Sequence, residues 1–199
     1  MARDFLEARA SMLGLSPGHL DRDLEAFSEK ASPSGTHLRW QQVVNGVPVW
    51  HSEIVVKVSN RGEVSSVQNN LTPGLAVSTT PSIDKAQALE AALAELGPRG
   101  KSIGEFSSVL QVVPFAGGAR LAYVVSLPVE SPMGDWRVFV DAKSGKVIAL
   151  EDAMVYATGT GQVFDPDPMS KMNDSTFVDN ADANTSVPFP GAYDIITLE

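Results

Sequence analysis

The sequence predicts an α+β chain: two small antiparallel-sheet-plus-helix units in tandem, followed by a loop-rich β tail. Three observations carry that reading. Asn45-Gly46 sits between runs rich in Val, Trp and Ile, the strongest short signal for a hairpin. Ile83-Asp84 opens a run with Ala86, Leu89, Leu93 and Leu96 at helical spacing. Beyond Gly97-Pro98 come four strand-like runs separated by Gly- and Pro-bearing turns, a helix followed by a meander.

Taken in order, residues 2–13 predict a helix with Phe5, Leu6, Met12 and Leu13 on its apolar face. Gly14 ends it in the left-handed region. Ser16-Pro17 offers a cap and a first helical position for a short turn through Leu20. Residues 21–30 are charged and fit neither period. Residues 31–35 form a loop. The hairpin follows, with strands at 36–44 and 47–53. A tight Asn45-Gly46 turn would set Trp40 opposite His51 and Leu38 opposite Glu53. Residues 54–59 continue as a third strand or run on through a bulge. Asn60-Arg-Gly62 turns the chain into a strand at 63–68, and 69–81 is a linker.

Asp84 and Gln87 have the spacing of a capping box, with Ile83 as a hydrophobic staple. Strands are expected at 109–115, 120–129, 136–141 and 146–151. Leu121, Tyr123, Val125 and Leu127 mark one buried face. Val56–Val64 and Val138–Val147 share a Val-x-Val, polar turn, Val pattern, read either as a duplication or as two similar hairpins. From Asp152 the character changes. Thr158-Gly-Thr-Gly161 reads as a junction, and strands are expected only at 162–164 and 195–198. The closing Asp194–Glu199 run reads as a strand with no turn after it, the pattern of a chain that continues.

Composition narrows the function. Twenty-four acidic residues against 15 basic give a net charge of −9 without any basic block, so a nucleic-acid surface is not expected. The absence of cysteine excludes disulfides, thiolate catalysis and Cys-ligated metal. No apolar run reaches the ~18–20 residues of a membrane span. The first residues carry no apolar signal segment.

The chemistry-bearing residues are sparse. Only His19, His37 and His51 are available, and no His-Glu-x-x-His helix occurs. Glu53, Glu63, Glu130 and Asp135 are candidate carboxylates that nothing in the sequence pairs. Asn180, Asp182 and Asn184 fit the first ligand positions of an EF-hand, but Thr185 and Gly191 stand where glycine and glutamate are required. The sequence therefore predicts no catalytic residue and no metal ligand.

Several blocks resemble a known family. Leu38-Arg-Trp-Gln-Gln, Asn45-Gly-Val-Pro-Val and Ser52-Glu-Ile-Val-Val resemble the core of the fungalysin/thermolysin propeptide (FTP) module of secreted zinc metallopeptidase precursors. Phe5–Ser16 resembles the opening helix of such propeptides. Residues 82–153 resemble a PepSY domain, most clearly at Trp136–Val147. Gly161-Gln-Val-Phe-Asp-Pro-Asp-Pro168, Phe177–Asp182 and Ile195–Leu198 resemble the start of a fungalysin-type mature peptidase. The resemblance implies an FTP-like module at 1–76, a PepSY-like domain at 77–155 and a junction with the start of a peptidase domain at 156–199.

It further implies a secreted prodomain that inhibits its own peptidase and assists its folding until cleaved. The partner would be that catalytic domain, which would hold zinc, with calcium as a second candidate ion; this chain would hold no cofactor and would not itself be an enzyme. The inhibitory and processing segment would be Asp152, Ala153, Met154, Val155, Tyr156, Ala157, Thr158, Gly159 and Thr160. A free-standing PepSY-type module that binds a peptidase in trans is the alternative.

Overall fold

A computed structural model describes residues 2–155, 159–163, 173 and 194–198. The chain divides into two compact units, 1–153 and 154–199. Among the described residues the fold is mostly β, with few helices and a mixed sheet.

The first unit begins with α1 (Ala2–Ala8) and a 3-10 turn (Ala10–Leu13), which Gly14 ends at φ 78°. A short helix, α2 (Leu20–Asp23), follows rather than precedes Leu20. The charged stretch beyond it is strand β1 (Leu24–Ser32), of which only Leu24 is buried. Strand β2 (Gly35–Val44) and strand β3 (Val47–Val58) form the expected hairpin. Asn45 and Gly46 both have positive φ, 49° and 80°, as a primed two-residue turn requires. Strand β4 (Val64–Asn69) then pairs with β3. Leu6, Ala10, Leu15, Leu20 and Leu24 pack against Ile54 and Val56 to make a first core. Met12, expected on the apolar face, is exposed.

Helix α3 (Lys85–Leu96) has the full capping box. Asp84 accepts from the Ala86 and Gln87 N–H groups, and Gln87 accepts from the Asp84 N–H. Its most buried residues are Ala88 and Ala92, with Leu89, Leu93 and Leu96 partly buried beside them. Ala86 is exposed. The alanines let the helix approach the sheet closely, a packing role that spacing of large apolar residues does not reveal.

Four long strands form the sheet below α3: β6 (Ser107–Phe115), β7 (Gly118–Ser131), β8 (Met133–Asp141) and β9 (Val147–Asp152). A short strand, β5 (Arg99–Ser102), lies along β7 and was not expected. Val112, Leu121, Tyr123, Val125, Leu127, Val129, Val138 and Val140 face the helix as a second core. The two look-alike hairpins close differently: Ser59 bonds to Glu63, whereas Asp141 bonds to Lys146, one residue further on.

The expected picture was two purely antiparallel sheets. The strands instead run in one path, β1-β2-β3-β6-β7-β8-β9, because β3 meets β6 in a parallel pair, Val49 with Val112. In the second unit β10 (Gly159–Val163) pairs antiparallel with β11 (Asp194–Leu198). These cover the two tail strands expected from sequence, apart from Phe164, which lies outside the described residues.

Candidate functional site

The feature that organises the first unit is a bulge in β3. Gln41 faces Glu53 and Val43 faces Pro48, so Gln42 alone stands against the four residues Val49–Ser52. The expected register is therefore displaced: Trp40 faces Ile54 rather than His51, and Leu38 faces Val56 rather than Glu53. A bulge interrupts ladder hydrogen bonds and bends its strand, and buried backbone groups need other partners. Side chains supply them. The Gln41 Nε2 donates to the Val49 and Ser52 carbonyls at 2.7 and 2.8 Å.

Beneath the bulge lie Gln42 and Ser52, the buried polar residues of the first unit, 7% and 1% exposed. The Ser52 hydroxyl donates to Gln42 Oε1. That oxygen also accepts from the Thr72 N–H at 2.9 Å, while Gln42 Nε2 donates to the Thr72 carbonyl at 2.9 Å. The Gln-Gln and Ser positions of the motif thus have a physical role. They hold β3 bent, so that Val49 reaches the second core while Ile54 and Val56 stay in the first.

The bend carries strain. His51 adopts φ 52°, the left-handed region that only a few per cent of non-glycine residues enter, Asn, Asp and His more often than the rest. Its ring stacks on Trp50 at 4.2 Å between centroids. Trp50 lies edge-on to Phe139, with the Arg137 guanidinium 5.6 Å from its ring centroid. Arg137 also meets Glu151 at 3.6 Å. Trp50 and Phe115 therefore flank Phe139 on the sheet face opposite α3. No period in the sequence announces this cluster, because the bulge creates it.

The other candidates separate. His19 bonds to the Pro17 carbonyl, His37 lies between β1 and β3 on the outer face of the hairpin, and His51 sits at the bend. Among the described residues no group of three or more His, Asp or Glu side chains could hold a metal ion. Glu53 pairs with Arg39 at 3.5 Å. Glu63 lies at the β3–β4 turn, where its carbonyl accepts from Ser59. Glu130 accepts from the Lys101 N–H, and Asp135 from the Ser126 hydroxyl. Residues 180, 182 and 184 lie outside the described residues.

Two partly buried carboxylates are held below the ordinary range. Partial burial works to raise Asp141, but the Ser144 and Lys143 N–H groups, the Ser144 hydroxyl and Arg120 outweigh it. Burial likewise works against Asp23, and the Arg22 guanidinium and Ser16 prevail. Both are structural: Asp141 closes the β8–β9 turn, and Asp23 ties α2 to Ser16.

The segment Asp152–Thr160 straddles the division between the two units. Asp152 ends β9, and its carboxylate accepts from the Asp135 N–H. The Ala153 N–H donates to the Asp135 carbonyl at 2.9 Å. Met154 and Val155 have no regular structure, and Val155 is 92% exposed. Gly159 and Thr160 pair with Leu198 and Thr197. Tyr156, Ala157 and Thr158 lie outside the described residues.

Comparison with known proteins bears on the bent hairpin directly. Residues 24–71 match the Fungalysin/Thermolysin Propeptide Motif, and this span runs from the start of β1 to just before Thr72. The chain is 35% identical over 132 residues to Neutral protease B of Bacillus subtilis, covering 63% of this chain and 24% of that protein. It is 30% identical over 135 residues to Bacillolysin of Bacillus amyloliquefaciens, covering 63% and 26%. Hemagglutinin/proteinase of Vibrio cholerae is 31% identical over 140 residues, covering 65% and 23%. The chain spans about a quarter of the length of these relatives. The hairpin, its bulge and the strands that flank it are thus an FTP module of the kind found in thermolysin-type peptidase precursors.

Proposed function

We propose that this chain is the prodomain of a secreted zinc metallopeptidase, an intramolecular inhibitor and folding assistant that acts until it is cut away. The observation that carries the reading is the FTP motif at 24–71 in a chain whose aligned relatives are proteases about four times the span of the match. The chain itself is not the catalyst in this reading. The peptidase domain would bring the zinc, and it is the partner.

The proposed layout is an FTP-like module at 1–76, a PepSY-like domain at 77–155 and a junction with the start of the peptidase at 156–199. Two separate helix-side cores, one on each side of the β3 bend, support the first division. The proposed inhibitory and processing segment is Asp152–Thr160. The last sheet-anchored residue, Ala153, and the exposure of Val155 support it. Tethering gives the prodomain a high effective concentration at the enzyme, so modest contacts suffice for inhibition. Cutting the tether removes that advantage.

The test has two parts. The reading frame beyond Glu199 should encode a His-Glu-x-x-His helix. The purified chain, mixed at micromolar concentration with the mature peptidase from that frame, should slow its turnover and raise the yield of active enzyme on refolding. Unchanged turnover and unchanged yield together would overturn the reading.

A further inference from the structure

On the outer face of the hairpin sheet, away from the first core, two lysines flank a histidine in one cross-strand row. Lys30 of β1 is paired with His37 of β2, and His37 with Lys57 of β3. The row continues to Ser66 of β4. No ion pair joins Lys30, His37 or Lys57 to an acid among the described residues; the nearby Glu53 is engaged by Arg39. The row is out of keeping with a chain of net charge −9.

Beside the row is a depression of about 360 Å³. Its lining includes Lys30, His37, Val55 and the polar Ser28 and Gln68, together with Arg39, which Glu53 engages. Neighbouring strands are ~4.8 Å apart, so the Lys30 and Lys57 backbones are about 10 Å apart. Carboxylates on alternate residues of an extended chain are about 7 Å apart, within reach of two flexible lysine stems.

We propose that this face binds an extended acidic segment of a protein partner, with carboxylates on alternate residues meeting Lys30 and Lys57. The assignment rests on the row and the depression and is independent of the prodomain reading.

The test uses the full 199-residue chain and a fluorescein-labelled peptide of four Glu-Thr repeats, followed by anisotropy at low salt. The chain as a whole repels such a peptide, so binding reports the local row. Saturable binding is expected, weakened about tenfold or more in K30E/K57E and nearly unchanged in K143E, which makes the same kind of charge change on the β8–β9 turn. No saturation at millimolar chain, or equal loss in K143E, overturns the proposal. Tighter binding of inorganic pyrophosphate than of the peptide also overturns it, by pointing to a phosphate-bearing ligand.

Discussion

The two cores of the first unit are built on a common strand but covered in different ways. Over the β6–β9 sheet lies one helix of 12 residues, locally capped at Asp84 and closed by Gly97 at φ 56°. Over the hairpin sheet lie three short helical pieces, of 7, 4 and 4 residues. Neither the 3-10 turn nor α2 has a side-chain cap. Helices this short do not persist on their own. The α3 side is therefore specified by local sequence and packing together, and the hairpin side by packing almost alone. β3 joins them by lending Val49 to one core and Ile54 and Val56 to the other.

The largest expected effects test whether β3 makes the two sides one cooperative unit. Ile54→Ala and Leu127→Ala each remove a fully buried side chain and should each cost about 2–5 kcal/mol. Both should lower one shared calorimetric transition. Two separated transitions, with only one moved by each variant, would break the comparison. Next comes Gln42→Leu, which takes the side-chain partner from the Thr72 carbonyl and one partner each from Ser52 and the Thr72 N–H, leaving Ser52 on the Asn70 carbonyl and the Thr72 N–H on Ser52. A loss of about 1–3 kcal/mol in urea unfolding is expected. A neutral result would mean that the bend does not depend on the network.

A smaller pair sharpens the contrast between the helices. Asp84→Ala should cost about 1 kcal/mol by removing the cap of α3. His19→Ala, at the start of α2 where no side-chain cap exists, should change stability by less than about 0.5 kcal/mol. Equal losses would mean that the Asp84 cap contributes no more than the uncapped start of α2. The smallest effect is on pH. Asp23 and Asp141 are lowered in the folded chain, so each protonates more readily when unfolded. Their contribution is present above the unfolded carboxylate value near 4 and is lost as pH falls through the folded values. Asp141→Asn should flatten the fall in melting temperature below about pH 4 and leave the profile from pH 5 to 8 unchanged in slope.

The sequence was most legible where local chemistry decides structure. Asn45-Gly46 and Asp84/Gln87 need particular backbone angles or caps, and both occur as expected. It was least legible where distant partners decide. Residues 24–32 lack a strand period because only Leu24 is buried, so β1 is held by pairing with β2 rather than by a core face. The register error at Trp40 and Leu38 has one cause, the extra residues of the bulge, and nothing local to β3 reveals that Gln41 and Gln42 will satisfy it. Of the segment Asp152–Thr160, the change of character at Asp152 was readable. That Asp152 and Ala153 are fastened to Asp135 was not, since that contact joins the end of β9 to the start of β8, 17 residues away in sequence.

The single parallel pair between Val49 and Val112 also has a kinetic consequence. Every other strand pairing in β1–β4 joins neighbours in sequence, as do β6–β7, β7–β8 and β8–β9, so these closures are short and fast. Val49 and Val112 are separated by β4, the linker, α3 and β5, and bringing them together closes a long loop. The meander and the bent hairpin can each form first. Their union, which closes the longest loop, is then expected to be the entropy-limited step of folding.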